Sequence, residues 1–192
     1  MRSSDAHVTV EGLEVAQFLY LLLNNKQLRD VIDTIGKKMV LILGRFNSER
    51  KKVLDAMRGK LCKLGYVPVV FDFPRPTQRD FTETVRLLAG MSRFVIADIT
   101  SPRSIPLELQ ATVPDCMVPF VPIIQENEEP FAMFQDLKQR YPWILDVLKY
   151  DSPLTLVDVF EGAVVRPALA MGEELLVKKA EVMRFRNARD YQ

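Results

Sequence analysis

Four short, nearly unbroken apolar runs constrain this chain most: Met39–Leu43, Val67–Phe73, Arg93–Asp98 and Val118–Ile124. None alternates apolar with polar residues, so each predicts a strand covered on both faces, as in a parallel sheet. The segments between them have a different rhythm. Apolar residues three and four apart predict a helix over Ser48–Leu64 (Val53, Leu54, Met57, Leu61), stopped by Gly65. Others are expected from about Thr77 to Ala89, in a short stretch ending before Pro114, and around Pro130–Arg140. Trp143–Tyr150 suits a short strand or a helix equally. Strands alternating with helices require right-handed crossovers and a mostly parallel sheet with helices on both faces.

This α/β core is expected over residues 37–150. Residues 1–36 are expected to form a tail and helical extension, with Val15, Phe18, Leu19, Leu22, Leu28, Val31, Ile32 and Ile35 on helical spacing and an interruption at Asn24-Asn25. Residues 151–192 are expected as a second helical extension, bent near Gly162, Pro167 and Gly172. The apolar stripes of both extensions need covering, by each other or by another subunit, and a homo-oligomer is expected. A chain of 192 residues with 48% apolar and 27% charged residues is ordinary for one globular domain. Lys plus Arg number 26 against 25 acids, which favours neither a nucleic-acid nor a membrane partner. His7 is the one histidine, which excludes a histidine triad and the usual zinc ligand sets. Cys62 and Cys116 form no CxxC pair and suit a reducing cytoplasm, with Cys62 expected as a small core residue. No apolar signal segment opens the chain, and Val15–Leu23 falls short of the ~20 residues that span a bilayer, so a cytoplasmic protein is expected. The basic ending from Lys178 to Arg189 reads as a solvated helix end, and Phe134, Tyr141 and Trp143 as core or interface.

Open parallel sheets bind ligands beyond the carboxyl ends of their strands, where strand order reverses. With the order 2-1-3-4-5 that crevice lies between the first and third strands. Gly44-Arg45-Phe46-Asn47-Ser48 follows the first and Asp98-Ile99-Thr100-Ser101 follows the third. Gly44 allows close backbone approach, Arg45 suits a phosphate or carboxylate, and Asn47 or Ser48 suits a helix cap whose free N–H groups attract anions. A plain turn with a solvated arginine accounts for the same residues. After the third strand, Ser101-Pro102 or Ser104 before Pro106 suits a helix start, with Glu108 in its first turns. The helix dipole favours the ionised carboxylate there, which either faces the crevice or only compensates the helix end. Asp98 caps a turn or serves a ligand. Asp72, farther from the switch point, reads as structural.

The segments Leu41–Phe46, Val69–Phe73 and Phe94–Thr100 leading to Glu108 resemble the Toll/interleukin-1 receptor (TIR)-like branch of flavodoxin-like folds, which includes the nucleoside 2-deoxyribosyltransferases. Phe18–Asn25 through Thr100 also resembles TIR-like domains attached to bacterial pentapeptide-repeat proteins. The resemblance implies a flavodoxin-like three-layer sandwich with a mostly parallel five-stranded sheet and extra terminal helices. It further implies cleavage of the nicotinamide glycosidic bond of NAD, here a substrate with no other cofactor, in a bacterial defence or signalling effector switched by self-association. By the same likeness Glu108 is the catalytic glutamate and Asp98 matches an aspartate that positions sugar hydroxyls. Gly44, Arg45, Phe46, Asn47, Thr100, Ser101 and Ser104 become expected substrate contacts. The aromatic-rich opening of that branch is kept here only as Phe46, and Pro106 stands two residues before Glu108. A non-catalytic nucleotide-sensing or adaptor module and a deoxyribosyltransferase-like enzyme are the alternatives.

Overall fold

Five parallel strands run side by side in the order β2-β1-β3-β4-β5. They are β1 (Met39–Gly44), β2 (Val67–Asp72), β3 (Phe94–Asp98), β4 (Phe120–Gln125) and β5 (Leu148–Tyr150). A computed structural model describes residues 13–44, 50–72, 82–100, 109 and 112–181 of the chain. The four apolar runs become the strands they predict. The ambiguous Trp143–Tyr150 segment contributes the short edge strand β5, preceded by a bridge from Ile144 to Phe120.

Two apolar layers sandwich the sheet because strand residues alternate faces. Val40, Ile42, Phe94, Ile96, Val121 and Ile123 face α3 (Lys51–Lys63). Leu41, Leu43, Val95, Ala97, Phe120 and Ile124 face α4 (Thr82–Met91), the helical turns within 109–116 and α5 (Ala132–Arg140). The result is a flavodoxin-like three-layer sandwich. Expected helix starts at Ser48 and Thr77 lie outside the described residues, and α3 is seen from Lys51.

Of the carboxyl-terminal segment expected as a helical extension, residues 151–181 are described. Helix α6 (Pro153–Phe160), a π-helical turn (Glu161–Val165) and α7 (Arg166–Glu181) form one continuous rod on the α3 face. Leu156, Phe160, Val164, Val165 and Ala168 are buried in that layer, so this segment completes the domain. Ser152 caps α6, its Oγ accepting from Thr155 N–H. The segment expected to bend near Gly162 and Pro167 contains the π turn. Pro167 lacks an N–H and its ring crowds the preceding turn, and an i−5 bond from Arg166 N–H to Glu161 O just before it opens that turn.

The amino-terminal extension behaves as expected in one respect: α1 (Leu13–Asn24) and α2 (Lys26–Lys38) are separated by Asn25, which caps α2 through Leu28 N–H. No residue of α2 is buried, and Leu13, Tyr20, Leu21, Val31 and Ile32 are exposed. Cys62 is also exposed, contrary to expectation, because the buried stripe of α3 runs through Val53, Met57 and Leu61 and Cys62 lies a further 100° round the helix. Cys116 is the core cysteine. Phe134 is buried, and Tyr141 and Trp143 pack partly buried against the same layer, Trp143 Nε1 donating to Val113 O at 3.0 Å. Among the described residues no helix is long and apolar enough to cross a membrane.

Candidate functional site

The reversal of strand order between β1 and β3 puts the switch point where sequence placed it, beyond Gly44 and Asp98. There β1 hands over to α3 on one face, while the chain after β3 passes to the other face, where Leu109 and Val113 are buried. Alternation places Asp98, Gln125 and Tyr150 on the α3 side, each two residues beyond Ile96, Ile123 and Leu148, with Gln125 in register with Tyr150 and Asp98 in register with Ile123. A staggered polar row thus tops an apolar layer.

Arg50, at the amino end of α3, fills this row. Its guanidinium pairs with Asp98 Oδ2 through Nη2 and through Nε at 3.0 Å. Nη2 also donates to Tyr150 Oη at 2.6 Å, and Nη1 reaches Gln125 Oε1 at 3.4 Å. The other carboxylate oxygen, Asp98 Oδ1, accepts Thr100 N–H at 3.1 Å, and Thr100 Oγ1 accepts Gln125 N–H at 3.0 Å. Arg50 is 8% exposed and Asp98 1%. One network therefore joins the ends of β3, β4 and β5 to the start of α3. Helix α3 starts without a side-chain cap and with a cation at its positive end, an arrangement unfavourable by itself. Asp98 compensates it.

Of the expected site residues, Gly44, Asp98 and Thr100 are described and buried at the carboxyl edge. Glu108, Arg45, Phe46, Asn47, Ser101 and Ser104 lie outside the described residues. Asp98 directs both carboxylate oxygens inward to Arg50 and Thr100, so its present partners are protein groups. Sequence reasoning overlooked Arg50, Gln125 and Tyr150. The signal was available in part: three successive cations, Arg50-Lys51-Lys52, open a helix where acids are favoured, and the helix indeed has no acid in its first turn. Among the described residues no cluster of histidine, cysteine and acidic side chains is arranged to hold a metal.

Comparison with protein-family models and with curated proteins finds no match. Among solved structures the chain is similar to a diflavin flavoprotein A3 from Nostoc sp., at 13% identity and a TM-score of 0.44, over 75% of this chain and 96% of that one. The strand order and the two helical layers carry the fold assignment.

Burial raises the Tyr150 phenol from its usual 10.0 to about 12, with the Asp98 carboxylate adding to the effect and Arg50 opposing it. A raised folded-state value favours the protonated form. The stabilisation it confers is complete below pH 10 and is lost as the pH climbs through 12. Titrating phenolate absorbance against the Tyr150→Phe variant is expected to show one tyrosine missing from the ordinary phenol range. The two curves should coincide up to about pH 11, and a parent curve showing one more phenol than the variant in the ordinary range about pH 10 would contradict the buried contact.

Proposed function

We propose that this chain is a TIR-like domain that cleaves the nicotinamide N-glycosidic bond of NAD, with Glu108 as the carboxylate beneath the reacting sugar. One observation supports it most. At the switch point α3 presents Arg50, Lys51 and Lys52 in succession and no acid in its first turn. Arg50 is held by Asp98, while Lys51 and Lys52 are exposed, so an incoming pyrophosphate meets helix N–H groups and ammonium groups. Nicotinamide leaves NAD as a neutral molecule, so the reaction needs a negative group under an oxocarbenium-like sugar and no general acid. Asp98 serves in this scheme through Arg50, fixing the start of α3. In this scheme Arg45, Phe46, Asn47, Ser101 and Ser104, which lie outside the described residues, join Gly44 and Thr100 as substrate contacts.

Incubating the purified chain with NAD and following nicotinamide by chromatography tests the reading. No release at any protein concentration, with or without crowding agent, would reject it. Tight Asp98–Arg50 pairing favours a second reading, a non-catalytic nucleotide-sensing or adaptor module, because it leaves the crevice one carboxylate fewer. Calorimetric binding of NAD without turnover is the expected signature of that alternative. A deoxyribosyltransferase-like reaction on a neutral base would want a proton donor, and Tyr150 is a poor one, with its phenol raised and its oxygen held by Arg50.

The effector role we propose includes self-association through α1 and α2. It is supported by their exposed Leu13, Tyr20, Leu21, Leu28, Val31 and Ile32. Light scattering at high micromolar protein is expected to give a mass above one chain, reduced by Val31→Glu. A single-chain mass throughout would remove this element.

A further inference from the structure

At the amino edge of the sheet, opposite the switch point, lies a cleft of about 140 Å³. It opens between α2, α7 and the segments entering β3 and β4. Gly36, Arg93, Pro119, Gly172 and Lys179 are among its lining residues, and no acidic residue is.

Arg93 decides the chemistry. It is half-buried, yet among the described residues neither Arg93 nor Lys179 has an ion-pair partner. The fold treats its other shielded arginines differently. Arg50 is paired with Asp98, and Arg86 with Asp115 at 2.9 Å. A guanidinium partly withdrawn from water costs free energy unless an anion offsets it, and its planar fork matches an oxyanion bidentately. Ser92 also lines the cleft, but its hydroxyl donates to Leu88 O at 2.7 Å. The donors left for a guest are therefore Arg93 and Lys179.

Size narrows the guest further. The cleft is well below the roughly 300–1,000 Å³ of sites for drug-sized ligands, so a nucleoside is too large for it. Both glycines that line it leave room around them. A Cβ at Gly36 would meet nothing within 4 Å, and one at Gly172 would meet only Pro119 Cγ at 3.6 Å.

We propose that this cleft binds a compact oxyanion, a single phosphoryl or carboxylate group, paired with Arg93 and Lys179. The bound anion sits between α2 and α7. Because α2 buries no residue of its own, such a bridge fastens the amino-terminal hairpin to the domain. The proposal is independent of the carboxyl-edge chemistry.

The test is an amide-resolved NMR titration with sodium phosphate and, separately, sodium acetate, against sodium chloride at equal ionic strength. Saturable shifts at the Gly36 and Gly172 amides, with a dissociation constant of order 1 mM, are expected, weakened about tenfold or more by Arg93→Gln. Stronger binding of phosphate identifies a phosphoryl guest, and stronger binding of acetate a carboxylate. Gly36→Leu supplies a second variant, since it keeps both cations, fills the open space and replaces glycine with a better helix former. It is expected to abolish the shifts while α2 becomes more resistant to hydrogen exchange. Shifts that stay linear to tens of millimolar anion, or titrations unchanged in both variants, would overturn the site.

Discussion

Replacing Arg50 with alanine is expected to lower the unfolding free energy by about 3–5 kcal/mol, measured by urea denaturation. The loss arises less from the missing attraction than from what remains. Asp98, 1% exposed, would keep a buried charge answered among the described residues by Thr100 N–H, and Tyr150 would lose the Arg50 donor. Removing both charges with size-matched apolar residues, Arg50→Met with Asp98→Leu, is expected to cost far less, because no uncompensated ion is left behind. Tyr150→Phe should cost about 1 kcal/mol, the ordinary worth of one hydrogen bond. A denaturation midpoint for Arg50→Ala matching the parent would mean that the ion pair does not form in solution.

The second large effect concerns chemistry. Glu108→Gln preserves size and removes charge, and nicotinamide release is expected to fall by about 10³-fold, the scale of losing one preorganised electrostatic stabiliser. Unchanged release would take Glu108 out of the mechanism while leaving the sheet architecture untouched. Variants at the start of α3 should behave differently. Lys51→Ala with Lys52→Ala removes charge that attracts substrate in the ground state and transition state alike, so KM should rise with little change in kcat. Under the proposed NAD cleavage, separating these two signatures distinguishes a carboxylate that acts in the reaction from cations that recruit the substrate.

The sheet was legible because its strands are covered on both faces, which removes polar residues from Met39–Leu43 and Phe94–Ala97. The switch point followed from strand order alone. What escaped was the partner of Asp98. Forty-eight residues separate Arg50 from it, and only the folded crossover brings them together. Nothing local marks a buried arginine except its awkward place at a helix start. The packing of the carboxyl-terminal helices on the sheet also escaped for a physical reason. Helical periodicity in Leu156, Phe160 and Val164 shows that a stripe must be covered, but not that the cover is the face of β1 and β3. The reverse holds for α2, whose equally regular stripe is exposed.

The rod formed by α6, the π turn and α7 has a consequence for biosynthesis. Synthesis proceeds from the amino end, so all five strands have emerged before the layer that shields Val40, Ile42, Ile96 and Ile123 is complete. A nascent chain reaching Tyr150 has α3 on that face but not yet the rod, so part of the apolar layer is uncovered, the kind of surface that chaperones retain and that aggregates when crowded. Closure must await Phe160 through Ala168 clearing the ribosome, so this face stays vulnerable until the rod has docked.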